Sequence, residues 1–494
     1  MDNFKQEIEK ATKYLSSKNN ISITIDEITH QLKLLSGGIE VPKLVRPCTI
    51  GDGILQLNND YNDELLKNFT SASLEGRIIK FVPASGAASR MFHKLHSVQI
   101  RFKDFTLEDL KKNSETDSEC KNVFEFLTNL EKFAFYQELK KILNKNDKEI
   151  KELISKSPEE IINAVLFDVG LNYSSKPKAA IKFHLYDEEC RTAFEEQIFE
   201  SLQYAVDKSN RLRIHYTISQ EHTELFETLI KEVKLKLDNT DFKIDVSYSY
   251  QKKHTDAIAV DLNNEIVYDS NGDLFRRPGG HGALLENLNE LNGDIVIIKN
   301  IDNVSVEKLS NDTIFYKKLL IGLLVKIQKK IFSFLESLNN ADIKGLDYNE
   351  ILDFFKKYLF LEKPENFDTW EIKEKIRFLF EILNRPIRVC GMVKNEGEPG
   401  GGPFWLKDEE GKLSLQIIEQ AQTSIQDENQ KSIFKQSTHF NPVDLVCGIK
   451  DYKGNDFNLR KFVDTKSGII ARKTKHGIEI KTLELPGLWN GSMA

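Results

Sequence analysis

The stretch from Arg276 to Val304, RRPGGHGALLENLNELNGDIVIIKNIDNV, constrains the fold more than any other. Pro278-Gly279-Gly280-His281-Gly282 reads as a tight turn that leaves backbone N–H groups uncovered. Ala283 to Leu291 reads as a helix, with Leu284, Leu285, Leu288 and Leu291 on one face. Ile295 to Ile298 is an unbroken apolar run, the pattern of a strand buried on both faces of a parallel sheet. It runs into Lys299-Asn300-Ile301-Asp302-Asn303, so a carboxylate and amides stand at a strand's carboxyl end, where open α/β sheets bind ligands. A glycine turn opening a helix can hold an anion through free N–H groups and the helix dipole. An Asp at the next strand end can hold a divalent cation. Together these features point to phosphate chemistry.

The rest of the chain repeats the alternation of strand and helix. Ile78 to Val82 reads as the first strand and leads into Pro83-Ala84-Ser85-Gly86-Ala87-Ala88-Ser89-Arg90-Met91-Phe92. Ala179 to Leu185 and Leu212 to Ile218 read as strands, each followed by a helix, Cys190 to Lys208 and Glu221 to Leu237. That order predicts an α/β fold with a parallel sheet. Phe242 to Tyr250 fits a strand, and Ala257 to Tyr268, turning at Asn263-Asn264, fits a small hairpin. Pro386 to Val393, Trp405 to Gln420, Val443 to Lys450 and Gly477 to Leu485 add strand signals. Residues 1–35 read as two short helices split near Asn19-Asn20, and 36–53 as a connector. The expected organisation is an N-terminal part, 1–53, and a core, 54–494, with helical insertions at about 104–166 and 312–383.

Composition excludes some classes. A net charge of −7 gives no overall bias toward nucleic acid. The five cysteines, Cys48, Cys120, Cys190, Cys390 and Cys447, are scattered without a C-x-x-C pair. That argues against a disulfide framework or a zinc site and for a reducing compartment. The first residues are charged and lack an apolar signal core, and no run reaches eighteen apolar residues, so the expected location is the cytoplasm. The closing Leu488-Trp489-Asn490-Gly491-Ser492-Met493-Ala494 reads as a stretch after which more sequence is expected.

Several constellations carry two readings each. Ala84, Ser85, Gly86, Ala87, Ala88 and Ser89 are small enough for a phosphate to approach the backbone, and Arg90 would add a forked cation. Neither the P-loop pattern nor the dinucleotide G-x-G-x-x-G is present. The other reading is a plain strand–helix turn with Arg90 on the surface. His281, between glycines, either meets a phosphate or base or caps the helix. Asp302 is either a metal ligand or the former of an Asx turn. Glu396 to Gly402, with Gly400, Gly401 and Gly402 in a row, is a substrate loop or a wide solvent turn. Ser437, His439 and Asp444 lie close in sequence without a nucleophile elbow, which rejects a hydrolase triad. Lys473 and Lys475 read as a surface face or as lysines neutralising phosphate.

Arg211 to Val304 resembles the core of the UDP-sugar pyrophosphorylases, the UTP:sugar-1-phosphate uridylyltransferases. The pieces fall in the same order: His215 to Ser219 with Glu221 to Phe226, then Tyr248-Ser249-Tyr250-Gln251, Arg277 to Gly282, and Ile301-Asp302-Asn303. Ala84 to Met91 stands where that family has its glycine-rich loop, although SGAASR carries one glycine where the family uses several. Lys94 is the nearest match to the lysine that follows the loop. The chain also resembles, over nearly its whole length, a bacterial domain family of unknown function carrying FVPASGAASRMF, GGHGALLENLNEL, EGEPGGGPFW and STHFNPVDLVCG.

The pyrophosphorylase resemblance implies a Rossmann-like GT-A nucleotidyltransferase core with a mixed, mostly parallel sheet, two helical insertions and N-terminal helices. It implies Mg²⁺-dependent transfer from an NTP to a sugar 1-phosphate or similar acceptor, with release of pyrophosphate. Arg90 would hold the β- and γ-phosphates, Ala84–Ser89 would cradle the triphosphate, and Asp302 would ligate Mg²⁺. Gln251, Gly279, Gly280, His281 and Gly282 would meet the nucleotide. Asn303, Glu396, Gly400, Gly401 and Gly402 would face the sugar. Lys473, read as a phosphate-neutralising lysine apart from the resemblance, is the third catalytic candidate beside Arg90 and Asp302. Two rivals stand beside it: a non-catalytic nucleotide or sugar-nucleotide binding protein, and an ATP-dependent kinase or ligase using the same loops.

Overall fold

All six residues of the strand Ile78–Pro83 are buried, and so are all five of Ile295–Lys299. Side chains with no polar alternation need cover on both faces, which puts both strands inside a sheet. The computed structural model describes residues 2–18, 22–57, 62–102, 104–187, 189–339, 347–397, 400–423, 427–475 and 478–485. The chain forms two compact units. The first comprises Met1–Phe81, Ser249–Lys299 and Phe315–Ala494, the second Val82–Tyr248 and Asn300–Ile314.

In the first unit, Ile295–Lys299 pairs in parallel with Ile78–Pro83, from Ile295 opposite Ile78 to Ile298 opposite Phe81. Its other side pairs antiparallel with Asp444–Gly448, which in turn pairs antiparallel with Ile387–Cys390. Three of these four strands therefore share a direction, a mixed and mostly parallel arrangement. Leu284, Leu285 and Leu288 cover Val296 and Ile298 on one face. The expected helix from Ala283 to Leu291 is corrected to a 3-10 turn, His281–Leu284, and a helix of five residues, Leu285–Asn289. The chain must turn back at Gly293, where even a Cβ would lie 2.8 Å from the Ile79 side chain.

A four-stranded sheet of Arg276–Arg277, Ala257–Val260, Ile478–Glu484 and Ile469–Lys475 lies in the same unit. The helices Asp2–Ser17 and Ile25–Lys33 cover it through Ala11, Ile28 and Leu32, which pack with Ile258, Val260 and Leu483. Thr24 and Glu27 cap the second helix reciprocally. The segment 36–53, expected as a connector, holds the strand Leu44–Pro47, paired to Gly402–Lys407. Its partner lies more than 350 residues away, beyond the reach of local pattern. The helices Asn311–Asn339, Tyr348–Phe354 and Ile372–Leu383 share a core that includes Ile331, Phe354 and Leu379.

In the second unit, Arg211–Ile218 and Lys243–Tyr250 run side by side. The Lys243 N–H donates to the Asn210 carbonyl (2.9 Å), and further along both strands His215 Nδ1 meets Ser247 Oγ (2.7 Å). Residue numbers rise together on the two strands, which means parallel pairing, with the helix Thr223–Lys236 as the crossover. Five α-helices lie between Leu107 and Leu166. They share one core with Phe92 and Leu95 through Leu110, Val123, Leu139 and Ile161.

Two expected elements are shifted. Ala179 to Leu185 is a 3-10 turn, Lys178–Ala180, followed by the strand Lys182–Leu185. Cys190 to Lys208 begins as the strand Cys190–Thr192, paired back to Lys182–Leu185, and turns helical only over Ala193–Leu202. A reciprocal cap between Thr192 and Glu195 fixes that start, since both side chains bond the other's backbone N–H (3.2 and 2.7 Å). Among the described residues, no helix is long and apolar enough to cross a membrane.

Candidate functional site

Pro83 has no N–H to continue a ladder, and the chain leaves its strand there. The Ala84 N–H donates to the Thr217 carbonyl (2.9 Å), near the end of Arg211–Ile218. A 3-10 turn, Ala88–Arg90, then leads to the helix His93–Arg101. Ala84 and Ala88 are fully buried and anchor the turn, while Gly86, Ala87 and Ser89 are exposed. A Cβ placed on Gly86 would meet nothing within 4 Å, so the outer side of the turn is open space. The backbone of Arg90 belongs to this turn, but its side chain lies outside the described residues.

A second segment is zipped onto the turn. The Lys178 N–H donates to the Gly86 carbonyl (3.0 Å), the Ala88 N–H to the Lys176 carbonyl (3.1 Å), and Ala87 bridges Pro177. This fixes the base of Lys178. Its Nζ lies 2.5 Å from Asp302 Oδ2, with both side chains partly exposed. Asp302 sits in a turn closed by the Asn303 N–H on the Asn300 carbonyl (3.1 Å). The carbonyls of Asn300 and Ile301 also accept Nε2 of the buried Gln197 (2.7 and 3.3 Å). Three distant pieces of sequence thus meet within the second unit: a small-residue turn, a lysine and a carboxylate.

Among the described residues, no three His, Cys, Asp or Glu side chains gather to hold a metal. Mg²⁺, however, is commonly bound through one or two carboxylates plus substrate phosphates. Asp302, exposed and with one oxygen on Lys178, fits that mode as the protein's contribution.

In the first unit, the Pro278–Gly282 turn is tied to the end of Ile478–Glu484. The Leu485 N–H donates to the Gly279 carbonyl (2.9 Å). Gly280 has φ +80°, a backbone that only glycine takes without strain. A Cβ on Gly279 would lie 2.5 Å from the Thr255 carbonyl oxygen. These two glycines therefore have structural reasons of their own. Gly282 also reaches the Leu485 carbonyl (3.4 Å), and His281 is exposed. Gln251 Nε2 approaches Asp256 Oδ1 (3.4 Å), whose carboxyl burial pushes above the usual range. Lys473 pairs with Glu484 (2.7 Å), the residue whose side chain flanks Gly280. A cavity of about 380 Å³ opens beside this turn, lined by His30, His254, Gly279, Arg460 and Leu485 among others.

The triple glycine is also in the first unit, with Glu396 exposed and Glu398 and Pro399 outside the described residues. A Cβ on Gly400 would crowd the Phe440 ring (2.9 Å), on Gly401 the Ile417 side chain (2.4 Å), and on Gly402 the Ser437 hydroxyl (2.7 Å). Gly400 and Gly402 line a second cavity, of about 240 Å³, with Asn395, Glu419 and Ser437. Ser437 donates to the His439 carbonyl (2.8 Å), His439 meets Thr438, and Asp444 pairs with Lys317. Each of the three thus has a partner outside a Ser-His-Asp relay.

A family model described as a domain of unknown function (DUF4301) matches residues 9–494. The chain belongs to this family. No curated protein matches it. Among solved structures, it is similar to a uridine diphosphate N-acetylglucosamine pyrophosphorylase from Trypanosoma brucei, with TM-score 0.41 and 12% identity. That alignment covers 94% of this chain and 64% of the other, so the chain spans less than two thirds of that enzyme's length. It is likewise similar to the UDP-glucose pyrophosphorylase from Leishmania major, with TM-score 0.42, 11% identity, and coverage of 98% and 72%.

For this DUF4301 chain, the residue that sequence reasoning missed is Lys178. Lys94, the nearest match to the lysine expected after the first loop, lies exposed on the helix His93–Arg101. The lysine bonded to the loop comes 84 positions later, after the helical insertion. The available signal was its local sequence, Lys176-Pro177-Lys178-Ala179-Ala180, two lysines around a proline followed by small residues. Gln197 carries no signal of its own in the sequence, since it stands at one position of the expected Cys190 to Lys208 helix.

Proposed function

We propose that this protein transfers a nucleotidyl group from a nucleoside triphosphate to a small phosphorylated acceptor, such as a sugar 1-phosphate, and releases pyrophosphate. The observation that carries this is the Lys178–Asp302 pair fastened to the Ala84–Ser89 turn. Backbone N–H groups of Ser85, Gly86 and Ala87 would meet phosphate oxygens, and Lys178 would balance their charge. Arg90, at the end of the same turn, would add a guanidinium. Asp302 would hold Mg²⁺, which would supply charge neutralisation to the phosphates.

An oxygen of the acceptor phosphate attacks the α-phosphorus in line. The bond to the bridging oxygen breaks, and pyrophosphate departs with the electron pair. The protein's part is to align the groups and stabilise charge, with no covalent intermediate required. A Rossmann-like GT-A core is the fold proposed for this chemistry. The nucleotide-contacting role of Gln251, Gly279, Gly280, His281 and Gly282 rests on motif order, as does the sugar-facing role of Asn303, Glu396, Gly400, Gly401 and Gly402; the catalytic role of Lys473 rests on its positive charge alone.

The test is incubation with NTPs, a panel of sugar 1-phosphates and Mg²⁺. Pyrophosphate with a nucleotide-linked product supports the proposal. ADP in its place means phosphoryl transfer. Binding without turnover across the panel means a non-catalytic binding protein.

A further inference from the structure

We infer that Gln197 is a positioning residue whose side-chain amide sets the turn presenting Asp302; the inference rests on the nucleotidyl-transfer function above. Gln197 is fully buried in the helix Ala193–Leu202. Its Nε2 donates to the carbonyls of Asn300 (2.7 Å) and Ile301 (3.3 Å), the two residues before Asp302. Because peptide units are planar, holding these two carbonyls fixes the planes that lead into the Asp302 Cα and so the direction of its side chain. The Asn300 carbonyl also closes the turn by accepting the Asn303 N–H.

The preceding residue holds the other end of the same segment. Glu196 accepts from Tyr186 Oη (2.7 Å) and from His184 Nδ1 (2.9 Å), and the Tyr186 oxygen accepts the Glu307 N–H (3.2 Å). Neighbouring residues of one helix thus grip the Asn300–Glu307 segment at both ends. The helix start is itself locked by the Thr192–Glu195 cap, and Glu195 takes Lys236 Nζ (2.7 Å). A buried amide without partners would be costly. Here its N–H groups are spent on an exposed turn that buries one side chain, Ile301, and directs a carboxylate outward. A carboxylate that must meet a cation and phosphates needs such outer support.

Gln197→Met keeps the length of the side chain and removes both N–H donors. Wild type and variant are titrated with Mg²⁺ in the presence of UTP or ATP, and binding heat is read with the folded fraction checked by circular dichroism. The variant should need about 10–100-fold more Mg²⁺ for half-saturation, the range usual for outer-sphere partners of a metal ligand. A merely structural glutamine would move the melting temperature and leave the Mg²⁺ requirement of the folded protein alone. An unaltered requirement in folded Gln197→Met overturns the inference. Should that variant fail to fold, Tyr186→Phe, at the more exposed end of the grip, should shift the requirement in the same direction by less; no shift there overturns it. Wild type that binds neither nucleotide with Mg²⁺ brings down both the function and the inference, and differs visibly from failure of the variants alone.

Discussion

Lys178 reaches across 124 residues of sequence to place its Nζ 2.5 Å from Asp302 Oδ2. With 27% and 36% of the two side chains exposed, water screens the pair. Such a pair adds at most about 1 kcal/mol to stability. Its value lies in what it keeps together, a cation and a carboxylate beside an open turn of small residues.

Lys178→Met should therefore lower pyrophosphate release by about 10²–10³-fold, the usual loss when one transition-state charge partner is removed. Its melting temperature should stay close to that of wild type. Asp302→Ala should abolish the response to Mg²⁺ while the protein stays folded. Steady-state kinetics beside a thermal melt checks both.

Gly86 and Gly170 should respond in opposite ways to a side chain. Nothing lies within 4 Å of a Cβ on Gly86, whereas a Cβ on Gly170 would sit 2.0 Å from the Ala164 carbonyl oxygen. Gly86→Val should leave the melt unchanged and weaken nucleotide binding by filling the phosphate space. Gly170→Ala should lower the melting temperature because a backbone atom must move.

Acid should expose the buried imidazole of His215. Burial pushes its pKa down from 6.5 to about 4. Between those values the unfolded chain takes up a proton that the folded chain refuses, so stability is complete above pH 6.5 and falls as pH drops toward 4. The loss is about 3 kcal/mol, at 1.36 kcal/mol per pH unit. His215→Gln should flatten the urea-unfolding stability across that window by this amount.

Asp444, partly buried, pairs with Lys317, which is wholly enclosed. Beside them Val443 adopts φ +59°, rare for a β-branched residue, while its N–H donates to Asn441 Oδ1 (2.9 Å). Asp444→Ala should destabilise the protein by about 3–5 kcal/mol by stranding a buried ammonium. The double variant Lys317→Met with Asp444→Ala should recover part of that loss in denaturant titrations.

The sequence made the strands legible where burial is two-sided, because Ile295 to Ile298 is an unbroken apolar run and Ile78–Pro83 is interrupted only by Lys80. It was less informative where pairing is distant. Leu44–Pro47 is a strand because Gly402–Lys407 lies beside it, and nothing in residues 36–53 encodes that partner. The Ala84–Arg90 turn and Asp302 stood out by composition and by position at strand ends. Lys178 did not, since the helical insertion parts it from the turn and its role exists only through the hydrogen bonds of Gly86 and Ala88. The glycines at 400–402 invited a ligand reading, yet each is also required by a neighbouring side chain. Gly280 is likewise required by its own φ.

The most direct measurement is an equilibrium titration of the whole protein with Mg²⁺ and UTP or ATP, run on wild type and on Lys178→Met. A triphosphate site at the Ala84–Ser89 turn predicts saturable, Mg²⁺-dependent binding by wild type and at least about tenfold weaker binding by the variant, the worth of a charge-assisted contact. Equal affinity in the two proteins, with both folded, would contradict it.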